Sequence, residues 1–126
     1  MTKNMINTKQ APAAVGPYSH AVLVGNQAFI SGQLGLDPAS GKLQTNVSMQ
    51  AKQAFDNLKE ILLEMDLSFS DIVKTTVFLT DMADFAAVNE VYADYFGEWK
   101  PARSCFVVRE LPLGGSFEIE AIAMKG

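Results

Sequence analysis

Ile72-Val73-Lys74-Thr75-Thr76-Val77-Phe78-Leu79-Thr80 is a strongly strand-prone run, because β-branched and aromatic side chains suit a pleated, half-buried surface. At a period of two, Val73, Thr75, Val77 and Leu79 share one face, and Lys74, Thr76, Phe78 and Thr80 share the other. The residues downstream decide how this strand is used. Asp81 is a candidate N-cap, and Asp84 suits the positive end of a helix dipole. Phe85, Val88, Tyr92 and Phe96 then recur at helical spacing, with Asn89 beside Val88. Gly97 ends the helix. After Trp99-Lys100-Pro101 the chain alternates again, from Arg103 to Val108. Strand, helix and strand in this order predict a right-handed crossover with the two strands parallel.

Working outward, Asn46 can cap an earlier helix running to about Met65. Its stripe is Ala51, Ala54, Phe55, Leu58, Ile61, Leu62 and Met65, with Lys52, Gln53, Asp56, Lys59 and Glu60 opposite, as expected of a helix laid on a sheet. Further upstream, Asn4 to Thr8 reads as a short strand. Ala11 to Tyr18 reads as a loop broken by Pro12, Gly16 and Pro17. His20–Val24 and Gln27–Ser31 form a hairpin across the two-residue turn Gly25-Asn26. Ser31-Gly32-Gln33 closes its second strand, where a glycine permits close approach of another backbone or a ligand. Downstream, Phe117 to Met124 is a last strand, joined to the previous one through Leu111-Pro112-Leu113-Gly114-Gly115. Hairpins at both ends around a crossover make a mixed sheet. The fold expected is α+β, with both helices on one face. The other face is partly apolar and no third layer is available, so self-association is its simplest cover.

A chain of 126 residues that is 48% hydrophobic suits a single domain, residues 1–126, with an ample core. The net charge of −4, with basic residues scattered and no aromatic platform among them, speaks against nucleic acid as the main partner. One cysteine allows no intrachain disulfide, and one cysteine with one histidine cannot build a Cys/His zinc site. The polar first ten residues do not read as a signal peptide, and no run is apolar and long enough to span a membrane. The expectation is a soluble cytoplasmic protein.

Few residues stand out for chemistry. Arg103 and Cys105 share a face of an otherwise apolar strand, where an arginine is costly unless an anion meets it. Two readings are open: an internal ion pair with Glu118 or Glu120, or a ligand carboxylate taken bidentately by the planar fork. Glu118 and Glu120 lie on one face of their strand and would repel if both were buried, so one reaches solvent or Arg103. One of them forms a sheet-edge salt bridge or holds a water. Cys105 is by default an inert core thiol, since a nucleophile would need a base or cation to activate it. His20 reads as structural or surface. Tyr18, Ser31-Gly32 and Asn89 are each unremarkable alone.

Together these pieces carry a resemblance. Gly16-Pro17-Tyr18, Ser31-Gly32-Gln33, Asp71 to Phe78, Val88-Asn89 with Tyr92, Pro101-Ala102-Arg103-Ser104-Cys105 and Glu118-Ile119-Glu120-Ala121 occur in order. The chain resembles the RidA family (YjgF/YER057c/UK114), the reactive-intermediate deaminases. The resemblance implies a chorismate-mutase-like fold and a homotrimer whose sheets line a central barrel, with sites in the clefts between subunits. It implies hydrolysis of 2-imino acids, released by pyridoxal-phosphate dehydratases, to 2-keto acids and ammonia, without metal or cofactor. Carried over, Arg103 holds the substrate carboxylate and Glu118 orients water, with Glu120 as the fallback. Tyr18, Ser31, Gly32, Asn89 and the Cys105 backbone bind substrate. The departure lies at Gly97-Glu98-Trp99-Lys100, which looks shorter than in many relatives and would reshape the cleft rim. Two rivals remain: a regulatory binder of small carboxylic acids without turnover, and a ribonuclease or translation inhibitor.

Overall fold

A computed structural model describes residues 2–126. One mixed sheet of six strands carries two helices on a single face. The elements run β1 (Lys3–Ile6), β2 (Ala21–Val24), β3 (Gln27–Leu34), α1 (Val47–Glu64), β4 (Ile72–Leu79), α2 (Phe85–Phe96), β5 (Ala102–Val107) and β6 (Phe117–Met124). The spatial order is β1-β2-β3-β6-β4-β5. Only β4 and β5 pair in parallel, as the crossover predicts; the other neighbours are antiparallel.

The α1 stripe is buried throughout, from Ala51 to Met65. Asn46 caps the helix by accepting from the Met49 N–H at 2.9 Å. Phe55 stacks on Tyr95 at 4.9 Å and meets Tyr92 and Phe96 edge-on, which joins the two helices. Beneath them Ala28, Ile30, Val77, Leu79, Phe117, Ile119, Ala121 and Ala123 form the floor of the core. Where β3 exits beneath α1, Gly35 approaches the helix so closely that a Cβ would stand 2.4 Å from Gln50 backbone atoms.

Several local readings differ in detail. The first strand is Lys3–Ile6 rather than residues 4–8. Asp81 caps a 3-10 turn at Met82–Asp84, accepting from the Ala83 N–H, and α2 continues from that turn. Val73 does not share a face with Thr75. A bulge in the β4–β6 pairing between Ile72 and Lys74 buries Ile72 and leaves Val73 exposed, because one extra residue reverses the alternation. Ser31 and Gly32 do not close β3. They sit in a second bulge, between Ile30 and Gln33, and pairing with β6 resumes beyond them.

The face away from the helices is open. Phe29, Phe106 and Met124 are exposed there. Val22, Lys74, Thr76, Glu120 and Ile122 line a shallow depression on it.

Candidate active site: two half-sites on one sheet

Arg103 lies on β5, an edge strand, opposite Thr75 of β4. Both face α2. The residue is exposed rather than enclosed in the sheet. Its Nη1 donates to Asn89 Oδ1 at 2.7 Å. Its guanidinium lies 4.8 Å from the Tyr92 ring centroid and 5.6 Å from that of Phe85, close enough for cation–π attraction to both. Phe85, Asn89 and Tyr92 are spaced i, i+4, i+7 and so share one helical face. The brace was therefore readable in the α2 pattern, although Phe85 gave no sign of it as a lone residue. Tyr92 is fixed in turn by Thr75, hydroxyl to hydroxyl at 2.7 Å. Burial raises the Tyr92 phenol, with the Thr75 bond and Arg103 pulling the other way.

The internal ion pair with Glu118 or Glu120 does not form. Phe117, Ile119, Ala121 and Ala123 point into the helix-covered core. The two glutamates therefore alternate onto the opposite face. Their strand β6 is separated from β5 by β4. Arg103 thus presents its fork with only a neutral amide on it.

Cys105 follows Arg103 on the same face and is half-buried against the core. Burial raises its thiol above the usual value, and Arg103 only partly counters this. Such a thiol is a poor nucleophile at neutral pH.

The remaining predicted residues gather elsewhere. Tyr18, Gly32 and Glu118 line one cavity of about 190 Å³, with Val15, Pro112 and Leu113 among its apolar walls. Glu118 lies directly against Gly32; a Cβ there would come 2.5 Å from Glu118 Oε2, so glycine is required for the carboxylate to lie there. Burial, and secondarily Glu120, raise the Glu118 carboxyl above the ordinary carboxylate value. The Ser31 hydroxyl donates to the Ser19 carbonyl at 2.7 Å. The Ser31 N–H donates to the His20 carbonyl at 2.9 Å. Both bonds tie the bulge to the segment that carries Tyr18. That segment is tightly folded, with the Tyr18 N–H donating to the Gly16 carbonyl across Pro17. His20 is structural: it is buried, its Nδ1 accepts from the Thr8 N–H, and its Nε2 donates to the Pro12 carbonyl at 2.7 Å.

The predicted residues therefore form two clusters, Arg103–Asn89–Cys105 and Tyr18–Ser31–Gly32–Glu118. They lie on opposite faces of the sheet. Among the described residues no group of three or more His, Cys, Asp or Glu is placed to hold a metal ion. No described helix is long and apolar enough to cross a membrane.

Comparisons with known proteins place the whole chain among its relatives. The family model described as endoribonuclease L-PSP matches residues 8–125. A 2-iminobutanoate/2-iminopropanoate deaminase of Capra hircus is 52% identical over 127 aligned residues, spanning 100% of this chain and 93% of the relative. Among solved structures, RidA from the Antarctic bacterium Psychrobacter sp. PAMC 21119 superposes with a TM-score of 0.95 at 48% identity. That match covers 97% of this chain and 99% of its own. E. coli TdcF with bound serine gives 0.94 at 43% identity, covering 98% and 99%. A full-length match in sequence and fold leaves one assignment: the chain belongs to the endoribonuclease L-PSP family, the RidA (YjgF) family.

Proposed function

We propose that this chain is a 2-iminobutanoate/2-iminopropanoate deaminase, hydrolysing 2-imino acids to 2-keto acids and ammonia in the cytoplasm. The observation that carries the reading is Arg103. A guanidinium braced by Asn89 at 2.7 Å, flanked by two aromatic rings and facing no acid of its own strand pair, is a preformed seat for a small carboxylate. That the structural neighbour E. coli TdcF has been solved with bound serine, an amino acid of similar size, supports a small carboxylate as the ligand class.

The two clusters lie on opposite faces of one chain, which supports a site completed between copies. We infer a homotrimer of chorismate-mutase-like, single-domain protomers, with the open sheet faces lining a central barrel. The exposed Phe29, Phe106 and Met124 on that face give it the apolar surface such an assembly buries. Arg103, Asn89 and Cys105 of one copy then face Tyr18, Ser31, Gly32 and Glu118 of the next.

In that cleft Arg103 takes the carboxylate, and the Gly32 N–H assists. The Cys105 carbonyl, on an edge strand with outward-facing backbone groups, accepts from the imine N–H. Glu118 takes a proton from water as the water oxygen bonds to the imine carbon and the C=N π pair moves to nitrogen. The carbinolamine nitrogen receives that proton. The C–N bond then breaks as C=O forms, and the hydroxyl proton leaves with ammonia as ammonium. A protonated imine is already electrophilic, so placement of water and substrate supplies the acceleration; these residues need no cofactor for the step.

The test is a coupled assay. A threonine dehydratase generates 2-iminobutanoate in the presence of semicarbazide, which traps the imine. The protein should divert imine from the adduct to 2-ketobutanoate in proportion to its concentration. No diversion, with a small carboxylate still bound, would leave the regulatory-binder reading. The family's ribonuclease description is opposed by the net charge of −4, and would return only with RNA affinity falling steeply in salt.

A further inference from the structure

Pro112 to Gly115 forms a turn closed by the Gly115 N–H donating to the Pro112 carbonyl at 3.1 Å. Leu113 stands at φ 60°, ψ 20° and Gly114 at φ 75°. Two successive positive φ angles inside such a bond are the pattern of a type I′ turn, which Asn-Gly or Gly-Gly fills without strain. A leucine in the first position is disfavoured by crowding at its Cβ. Nor does core burial offset the strain, since Leu113 is 65% exposed.

The turn is held firmly in spite of this. The next residue, Ser116, donates its N–H to the buried Gln50 Oε1 at 2.8 Å. Gly115 is pressed against Leu34, whose Cδ2 a Cβ would meet at 2.9 Å. Neither backbone preference nor burial accounts for a leucine here, and strain of this kind points to function. Leu113 lines two cavities, one with Thr80, Arg109 and Ser116 and one with Tyr18, Gly32 and Glu118; the second is the one that holds candidate site residues.

We propose that Leu113 is a specificity-determining residue, its isobutyl group closing the apolar wall of the Glu118 cavity against imines with long side chains. This rests on the deaminase reading above. At about 190 Å³, this cavity is the Glu118 half of the proposed cleft, and the substrate side chain is the part it would hold. Pro112 and Val15 complete the apolar surface, while Glu118 supplies the polar end.

The experiment compares wild type with Leu113→Asn and Leu113→Gly, which suit the turn, and with Leu113→Met, which keeps the volume. An amino-acid oxidase generates the imines of 2-aminobutanoate and leucine in place, and kcat/KM is measured for both. Melting temperature is read alongside. Leu113→Asn should melt at or above wild type, yet lower the preference for the short imine by about fivefold or more. Leu113→Met should hold the preference within about twofold. Leu113→Gly makes the same truncation and carries the test if asparagine disturbs the turn. A raised melting temperature with unchanged selectivity would show Leu113 to be a turn residue only. A wild type inactive on both imines would instead remove the deaminase reading, and this inference with it.

Discussion

Removing the Arg103 fork should separate activity from stability. In the fold, the side chain makes one hydrogen bond, to Asn89, and lies near two rings, at an exposed position on an edge strand. An exposed cation–π contact contributes about 0.5–1 kcal/mol, and an ordinary hydrogen bond about as much. With two such contacts and one hydrogen bond, Arg103→Ala should therefore cost roughly 1.5–3 kcal/mol of stability, a loss a chain of this size survives. Under the proposed function the same group would make two charge-assisted bonds to substrate at about 1.5–3 kcal/mol each. Losing both removes about 3–6 kcal/mol of transition-state binding, a fall of roughly 10²–10⁴ in kcat/KM. Arg103→Lys keeps the charge but not the fork, so it should recover at most about tenfold. The assay is the imine-trapping competition with semicarbazide, with urea midpoints measured in parallel. A folded Arg103→Ala protein within about twofold of wild-type kcat/KM would refute the carboxylate-seat argument outright.

Two other perturbations probe the geometry. Glu118 has its carboxyl raised above the ordinary 4.5 by burial first and Glu120 second; the folded form therefore binds this proton more tightly than the unfolded one. Its support for the fold is complete below that ordinary value and is lost as pH climbs through the raised one. Glu118→Gln should flatten this part of the stability curve while abolishing most imine hydrolysis. Urea midpoints from about pH 4 to pH 7 check it, and an unchanged slope would place the titration elsewhere. Gly35→Ala drives a Cβ to 2.4 Å from the Gln50 backbone, which cannot yield as a flexible side chain would. A loss of about 2–3 kcal/mol, or roughly 8–12 °C in melting temperature, is expected. A calorimetric shift under about 2 °C would mean that the helix–sheet contact is softer than its geometry indicates.

What could be read without coordinates was whatever depends on neighbours in sequence. The α1 stripe, the Asn46 cap, the Gly97 stop and the β4–α2–β5 crossover all arise from local spacing, and all stand in the structure. The site residues were legible through the resemblance more than through their own chemistry. Register was not legible. Val73 and the Ser31-Gly32 pair are placed by bulges against β6, a strand far along the chain, and no local pattern encodes where a ladder slips. Arg103 looked enclosed because its strand reads as apolar, whereas an edge position, which depends on the order of all six strands, exposes it. Gln50 and Asn57 went unnoticed because buried amides look like surface residues in a helix. Asn57 donates to the Leu34 and Leu36 carbonyls and so fixes the exit of β3.

Arg103 and Glu118 occupy opposite sides of the same sheet, which has a genetic consequence under the proposed assembly. Two silent alleles, one lacking the guanidinium and the other the carboxylate, would each be dead alone, yet co-expressed they could rescue each other. Mixed rings would contain some clefts that draw both intact halves from different polypeptides. Heterozygosity for such lesions would be milder than either homozygous state, and dilution below the association threshold would silence even the wild type.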